Sequence, residues 1–252
     1  MTQASPQLAG LRRLNAVMGG LHLLSAIAML ALSNDFSLPV STTFLQDQPG
    51  GPLDPARLEQ LFSLRIGPAL AAFLLLSAFF HLLVASPWGY PRYLRELQAR
   101  RNRFRWVEYS LSASLMIVVI AMITGITDAA ALLAIAGVNA SMILFGWLME
   151  THSRPGPEAD WTPFWFGCIA GSVPWIAIAL YLVGPGSAVP TFVYAIFVTI
   201  FVFFNCFALN QWLQYRGSGR WSDYLFGERV YIVLSLTAKS ALAWQVFANT
   251  LV

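Results

Sequence analysis

Seven stretches of the chain, about residues 10–33, 64–85, 104–124, 128–149, 162–183, 190–213 and 229–251, carry little charge. Each is long enough to cross the roughly 30 Å hydrocarbon core of a bilayer as a helix. Lipid offers no partner to backbone N–H and C=O groups, so each crossing must satisfy them internally, which selects helices. Composition agrees: 57% of the 252 residues are hydrophobic and 11% are charged, against about 25% charged in soluble domains. The expected architecture is one all-α membrane domain spanning 1–252, with no soluble module appended. Arg12 and Arg13 precede an apolar run that reaches Ser33, longer than a signal-peptide core, so it reads as an uncleaved first helix. Cys168 and Cys206 both fall inside spans and suggest neither a disulfide nor a metal site. Pro68 and Pro174 also lie inside spans and are expected to kink or loosen them.

The arginines set the orientation. With the N-terminus inside, twelve arginines (12, 13, 92, 95, 100, 101, 103, 105, 154, 216, 220 and 229) fall on the cytoplasmic side, and Arg57 and Arg65 on the other. This predicts a multi-pass protein of the plasma membrane with its N-terminus inside and its C-terminus outside. The long connection 33–60 then lies outside. Its β-branched pieces, such as "PVSTTF", suggest a short two-stranded β-hairpin between the first two spans, with a structureless loop as the alternative.

Two ionisable groups stand out inside the spans, Glu108 in "RFRWVEYSLSASLM" and Lys239 in "SLTAKSALAW". Lys239 is the one lysine of the chain. A charge in hydrocarbon costs several kcal/mol and marks a function or a partner. In the plainest account Glu108 pairs with Arg105, three residues earlier on the same helical face, and Lys239 snorkels to the membrane surface. Depth argues against snorkelling: Lys239 lies ten residues beyond Arg229, about 15 Å along a helix and twice the reach of a lysine stem. Pairing or covalent chemistry fits better. A neutral amine attacks carbonyls to form a Schiff base, and a protonated Schiff base needs a carboxylate. At about 4 Å and an effective dielectric near 20, such a pair is worth about 4 kcal/mol. These two residues alone would serve equally well as an ion pair in a transporter.

The strings "RWVEYSLSASLMI", "ALLAIAGVNASMILFGW", "PFWFGCIAGSVPW" and "YIVLSLTAKSALAWQ" resemble heliorhodopsins, the inverted-topology family of microbial retinal proteins. The resemblance extends to "GLHLLSAIAMLALSNDFSLP" near the start and so covers essentially the whole chain. It implies a seven-helix rhodopsin-like bundle whose N-in, C-out topology agrees with the arginine count. It also implies all-trans retinal bound covalently to Lys239 as a protonated Schiff base, with Glu108 as counterion. Ser235, one turn before Lys239, stands where ion-pumping relatives usually carry a second carboxylate. Val119, eleven residues after Glu108, stands where proton pumps commonly place a donor acid.

Further pocket residues follow from the same resemblance. Ser112 and Met116 share a face with Glu108, at i+4 and i+8. Asn139, Met142, Ile143 and Gly146 form a stripe on the fourth span, where the missing side chain of Gly146 makes room for a flat ligand. Trp165 and Phe207 are candidate pocket walls. His22 and His81 match a polar cavity on the cytoplasmic side of the chromophore, where they would accept a proton.

The resulting expectation is a light-sensing receptor that signals and does not pump, with a light-gated ion channel or transporter of the same fold as the alternative. A retinal-independent transporter using the Glu108–Lys239 pair is a second rival. An enzyme is not expected, because no serine–histidine–acid or metal-ligand spacing is evident. The expected partners are membrane lipid, a second copy of the chain, with the hairpin reaching across, and a cytoplasmic or membrane signalling protein. Nucleic acid is not implied: the basic segment "RYLRELQARRNRFR" (92–105) reads as a positive-inside loop meeting anionic headgroups.

Overall fold

The computed structural model describes residues 6–44, 58–184 and 189–250. Residues 45–57 of the long connection, with Arg57, and part of the "GPGSAVP" break (185–188) lie outside the described residues. Among the described residues eight α-helices and two β-strands follow in order: α1 (Pro6–Leu32), β1 (Ser37–Thr43), β2 (Leu58–Arg65), α2 (Ile66–Ala85), α3 (Tyr90–Gln98), α4 (Arg103–Ile123), α5 (Ala129–His152), α6 (Thr162–Val183), α7 (Thr191–Arg216) and α8 (Tyr224–Thr250). Seven of them, all the helices but α3, are long and apolar enough to span a membrane.

Local chemistry sets several of the ends. Asn102 caps α4 by accepting from the Arg105 N–H at 3.2 Å, and Asp128 caps α5 by accepting from Ala131 N–H at 2.8 Å. Gly217 ends α7 at φ +62°, the left-handed conformation that glycine adopts without strain. The helix α3 is a finding beyond the sequence reading, which treated 86–102 as loop. It is too short and too arginine-rich to read as a span, yet it buries Tyr93, Glu96 and Leu97.

The helices α1, α2, α4, α5 and α6 pack each on the next, and α8 packs on α1, α2 and α7. A core runs through one half of the bundle, built from Phe73, Met116, Ile117, Ile120, Ile178, Ile200 and Val246 among others. Lipid is as apolar as these side chains, so close packing, more than expulsion from water, holds the helices together. The outward surface is apolar as well: Leu133, Ile169 and Val183 are 75%, 66% and 75% exposed.

The expected hairpin is present. β1 and β2 pair antiparallel from Ser37↔Arg65 to Thr43↔Leu58, with a bulge between Val40 and Ser41. At the bulge Ser41 N–H donates to Thr127 C=O at 2.9 Å, tying the hairpin to the α4–α5 turn. The strand β2 runs to Arg65, so α2 starts two residues later than the apolar pattern suggests.

Candidate functional site

Lys239 on α8 and Glu108 on α4 meet inside the bundle, their side chains 6% and 4% exposed. The Lys239 ammonium donates to Glu108 Oε1, to Ser77 Oγ at 2.8 Å and to Ser112 Oγ at 2.9 Å. Three donors meet three acceptors, which is the full capacity of an ammonium. Ser77 also donates to Glu108 Oε1 at 2.8 Å, so acid, hydroxyl and amine form a closed ring. The Phe73 and Tyr109 rings lie 5.5 and 4.8 Å from the nitrogen. Removing one partner of such a buried pair typically costs about 3–5 kcal/mol.

Arg105 does not pair with Glu108. Its buried guanidinium engages Glu228 and Glu150 Oε1 at 2.6 Å, over the Tyr231 ring at 3.9 Å. Asn102 Nδ2 donates to Glu228 at 2.7 Å, and Trp106 Nε1 and Tyr224 OH donate to Glu150 at 2.5 and 3.0 Å. This second ionic cluster was missed in the sequence. Glu150 and Glu228 each adjoin the end of an apolar run and so read as loop residues; the available signal was an arginine within a span that needed a partner.

A hydrogen-bonded chain runs from Ser235, one turn before Lys239 on α8, to the second cluster. His81 contacts Ser235 Oγ through Nε2 at 3.1 Å and Asn15 Oδ1 through Nδ1 at 2.7 Å. Asn15 Nδ2 donates to Tyr93 OH at 3.3 Å, and Tyr93 OH donates to Glu228 Oε1 at 3.0 Å. Burial, reinforced by the Glu228 carboxylate, pushes the Tyr93 phenol well above its ordinary range, so it stays a donor. His22 stacks on His81 with centroids 5.6 Å apart. Neither ring nitrogen of His22 has a protein partner among the described residues. A cavity of about 30 Å³ lined by Asn15, His81, Asn102, Arg105, Glu108 and Glu228 lies between the clusters, room for a water molecule. Ser235, His81 and Asn15 line up as hydroxyl, imidazole and amide, the order that activates a nucleophile, but Ser235 is fully buried and offers a substrate no approach.

On its other side Lys239 opens into an apolar cavity of about 120 Å³. Met142, Ile143, Gly146 and Phe207 line it, as do Trp106, Tyr109 and Tyr231, which the sequence reading did not name. The chemistry of these walls fits a flat, apolar polyene joined to an amine. Gly146 also admits a neighbouring ring: a Cβ there would sit 2.6 Å from the Trp106 ring, so the glycine makes way for tryptophan, which forms part of the same wall.

The remaining candidates lie elsewhere. Met116 is fully buried in the apolar core, and Asn139 donates to Ser114 Oγ at 3.1 Å between α5 and α4. Trp165 is 58% exposed. The packed face of α6 runs through Pro163, Gly167 and Gly171, and two residues along a helix is about 200°, which turns Trp165 outward. From α6 it is Trp175 that turns inward, with its ring 5.3–5.5 Å from Phe197, Phe201 and Phe204.

No curated protein sequence matches significantly. Among solved structures, the rhodopsin of Exiguobacterium sibiricum superposes with a TM-score of 0.65 at 13% identity, covering 96% of each chain. A light-driven proton pump of Leptosphaeria maculans gives 0.66 at 13% identity, covering 98% of this chain and 95% of that one. The transmembrane domain of the Salpingoeca rosetta rhodopsin phosphodiesterase gives 0.66 at 14% identity, covering 98% and 84%. At such identities these likenesses establish the fold, that of the seven-helix microbial rhodopsins. The sequence model of the heliorhodopsins matches residues 11–251, and the chain therefore belongs to the heliorhodopsin family.

Proposed function

We propose that this protein is a light-sensing receptor that binds all-trans retinal covalently at Lys239 and signals without pumping ions. The observation that carries the reading is the ring of Glu108, Ser77 and Ser112 around the sole lysine, set at the polar end of an aromatic-walled cavity. Bound there as a protonated Schiff base, retinal supplies visible-light absorption and isomerisation. Glu108 balances the positive charge, Ser77 and Ser112 orient it, and the Phe207 and Tyr231 walls exclude water. Ser235 faces His81 with a hydroxyl where a pump would carry a carboxylate, and Val119 is buried in the apolar core; both features support signalling. The N-terminus faces the cytoplasm of a plasma-membrane protein, in keeping with the arginine distribution. A second copy of the chain packs along the hairpin side, where Leu58, Leu61 and Phe62 are exposed, and a cytoplasmic or membrane protein reads the output.

A second reading, a light-gated proton path, is favoured by one observation, the chain Ser235–His81–Asn15–Tyr93–Glu228 that runs toward the arginine-rich end. One experiment separates the two. Cells expressing the protein with added retinal should become coloured and show a flash-induced absorbance cycle, with no sustained pH change under illumination. A steady light-driven pH change abolished by an uncoupler, or a light-induced proton current across a planar membrane, would overturn the signalling reading, and failure to colour would overturn retinal binding.

A further inference from the structure

At the arginine-rich end, outside the site just described, α2, α3, α4 and α5 enclose a groove of about 590 Å³. Its floor is apolar, formed by Phe79, Phe104, Val107 and Trp147, and Phe79 is 58% exposed on the lipid-facing side of α2. Its rim carries Arg92, Arg95 and Arg103. Arg103 is already committed: its Nη2 and Nε donate to Glu96 at 2.5 and 3.1 Å, and Arg101 approaches the same carboxylate at 3.4 Å. Glu96 is thereby compensated twice over. Arg92 and Arg95, three residues apart on one face of α3, have no side-chain partner among the described residues.

Two uncompensated guanidiniums thus stand over an apolar floor that opens sideways into the bilayer, at the level where phosphates lie. Trp88, 87% exposed just before α3, belongs to the same interfacial level, where tryptophan is enriched. A guanidinium fork matches a phosphate with two parallel hydrogen bonds, and an acyl chain covers the exposed rings. We propose that this groove binds one anionic phospholipid from the leaflet at the arginine-rich end, its phosphate held by Arg92 and Arg95 and one acyl chain lying along Phe79 and Trp147. An acidic protein segment would satisfy the arginines but would leave a floor continuous with the lipid-facing surface of α2 without an acyl partner. The proposal does not depend on retinal or on the direction of signalling.

Native mass spectrometry of the full-length protein in detergent tests it, with chain-matched phosphatidylglycerol and phosphatidylcholine added in equal amounts. One phosphatidylglycerol per chain should be retained in preference to phosphatidylcholine. Arg92→Gln with Arg95→Gln should weaken that retention about 30-fold, from the contribution of two interfacial arginines. Arg154→Gln with Arg220→Gln removes the same charge from exposed positions off the groove and should leave retention unchanged. Trp147→Ala should weaken retention of the long-chain lipid more than that of a short-chain analogue, and glycerol phosphate alone should compete poorly. Equal retention of the two lipids, an equal loss in the off-groove variant, or full competition by glycerol phosphate would each overturn the assignment. Unchanged thermal unfolding of the two arginine pairs shows that lost retention is not lost folding.

Discussion

Glu108 is free to act on Lys239 because Arg105 is held elsewhere, by Glu150 and Glu228. That settles at the level of single residues which of two partners the acid takes. It also has a spectral consequence. The positive charge of a protonated Schiff base sits near its nitrogen before excitation and moves toward the ring afterward, so a carboxylate at the nitrogen widens the gap. Glu108→Gln is therefore expected to shift the pigment's absorption maximum to longer wavelength, since Ser235 supplies no second negative charge to compensate. An unchanged maximum would remove Glu108 from the counterion role. Tyr93 gives a second prediction, through its hydrogen bonds to Asn15 and Glu228. Tyr93→Phe should destabilise the protein by about 1–3 kcal/mol at neutral pH, as loss of a buried hydrogen-bonding group does. Because the folded-state phenol titrates above its unfolded value near 10, the folded form holds its proton more tightly. Its contribution is complete below about pH 10 and declines as pH rises further. Thermal unfolding at pH 7 and pH 11 should therefore show the gap between wild type and Tyr93→Phe narrowing at the higher pH; a constant gap would contradict the assignment.

Among the elements, α4, α5 and α8 place the chemistry, and close contacts between them are exacting. Gly146 on α5 admits the Trp106 ring of α4, which holds Glu150 through its indole N–H. Gly146→Ala should push that ring aside, cost about 1–3 kcal/mol from overpacking and lower pigment yield, read from the thermal midpoint and from visible absorbance per protein. Wild-type values for both would mean that the contact is slack. The seven spans were legible because apolar length is a property of each segment by itself. The hairpin was only half legible: its β-branched pieces allowed strands, but the sequence fitted a structureless loop nearly as well. The helix α3 was not legible, since nine residues rich in arginine carry no span signal and are fixed by the burial of Tyr93 and Leu97. Ser77 and Asn15 were equally silent. Each is a small polar residue in an apolar run, and only the packing of α2 and α1 against the other helices gives it partners. Trp165 shows the reverse failure, in which the resemblance suggested a pocket wall and the rotation of α6 turned it toward lipid.

Across the whole molecule, charge and apolar packing are separated along the bundle axis. Arg12 donates to Ala85 C=O at 2.9 Å beside α3, and Gly156 N–H donates to Tyr215 C=O at 3.0 Å, so the arginine-bearing connections gather at one end. The second ionic cluster lies toward that end, whereas the hairpin closes the other end over the apolar core. Lys239 sits between them, where an aromatic cavity on one side meets a polar chain on the other. Which carboxylates completed that polar side was not legible, because Glu150 and Glu228 are brought to Arg105 only by the closure of α5 and α8 on α4. Every role proposed for the residues around the cavity depends on covalent attachment at Lys239. Borohydride reduction of the illuminated pigment, followed by digestion and peptide mass spectrometry, tests this most directly. A retinyl adduct is expected on the peptide that contains Lys239, and no visible pigment in Lys239→Ala. A coloured protein with no adduct at Lys239 would contradict it.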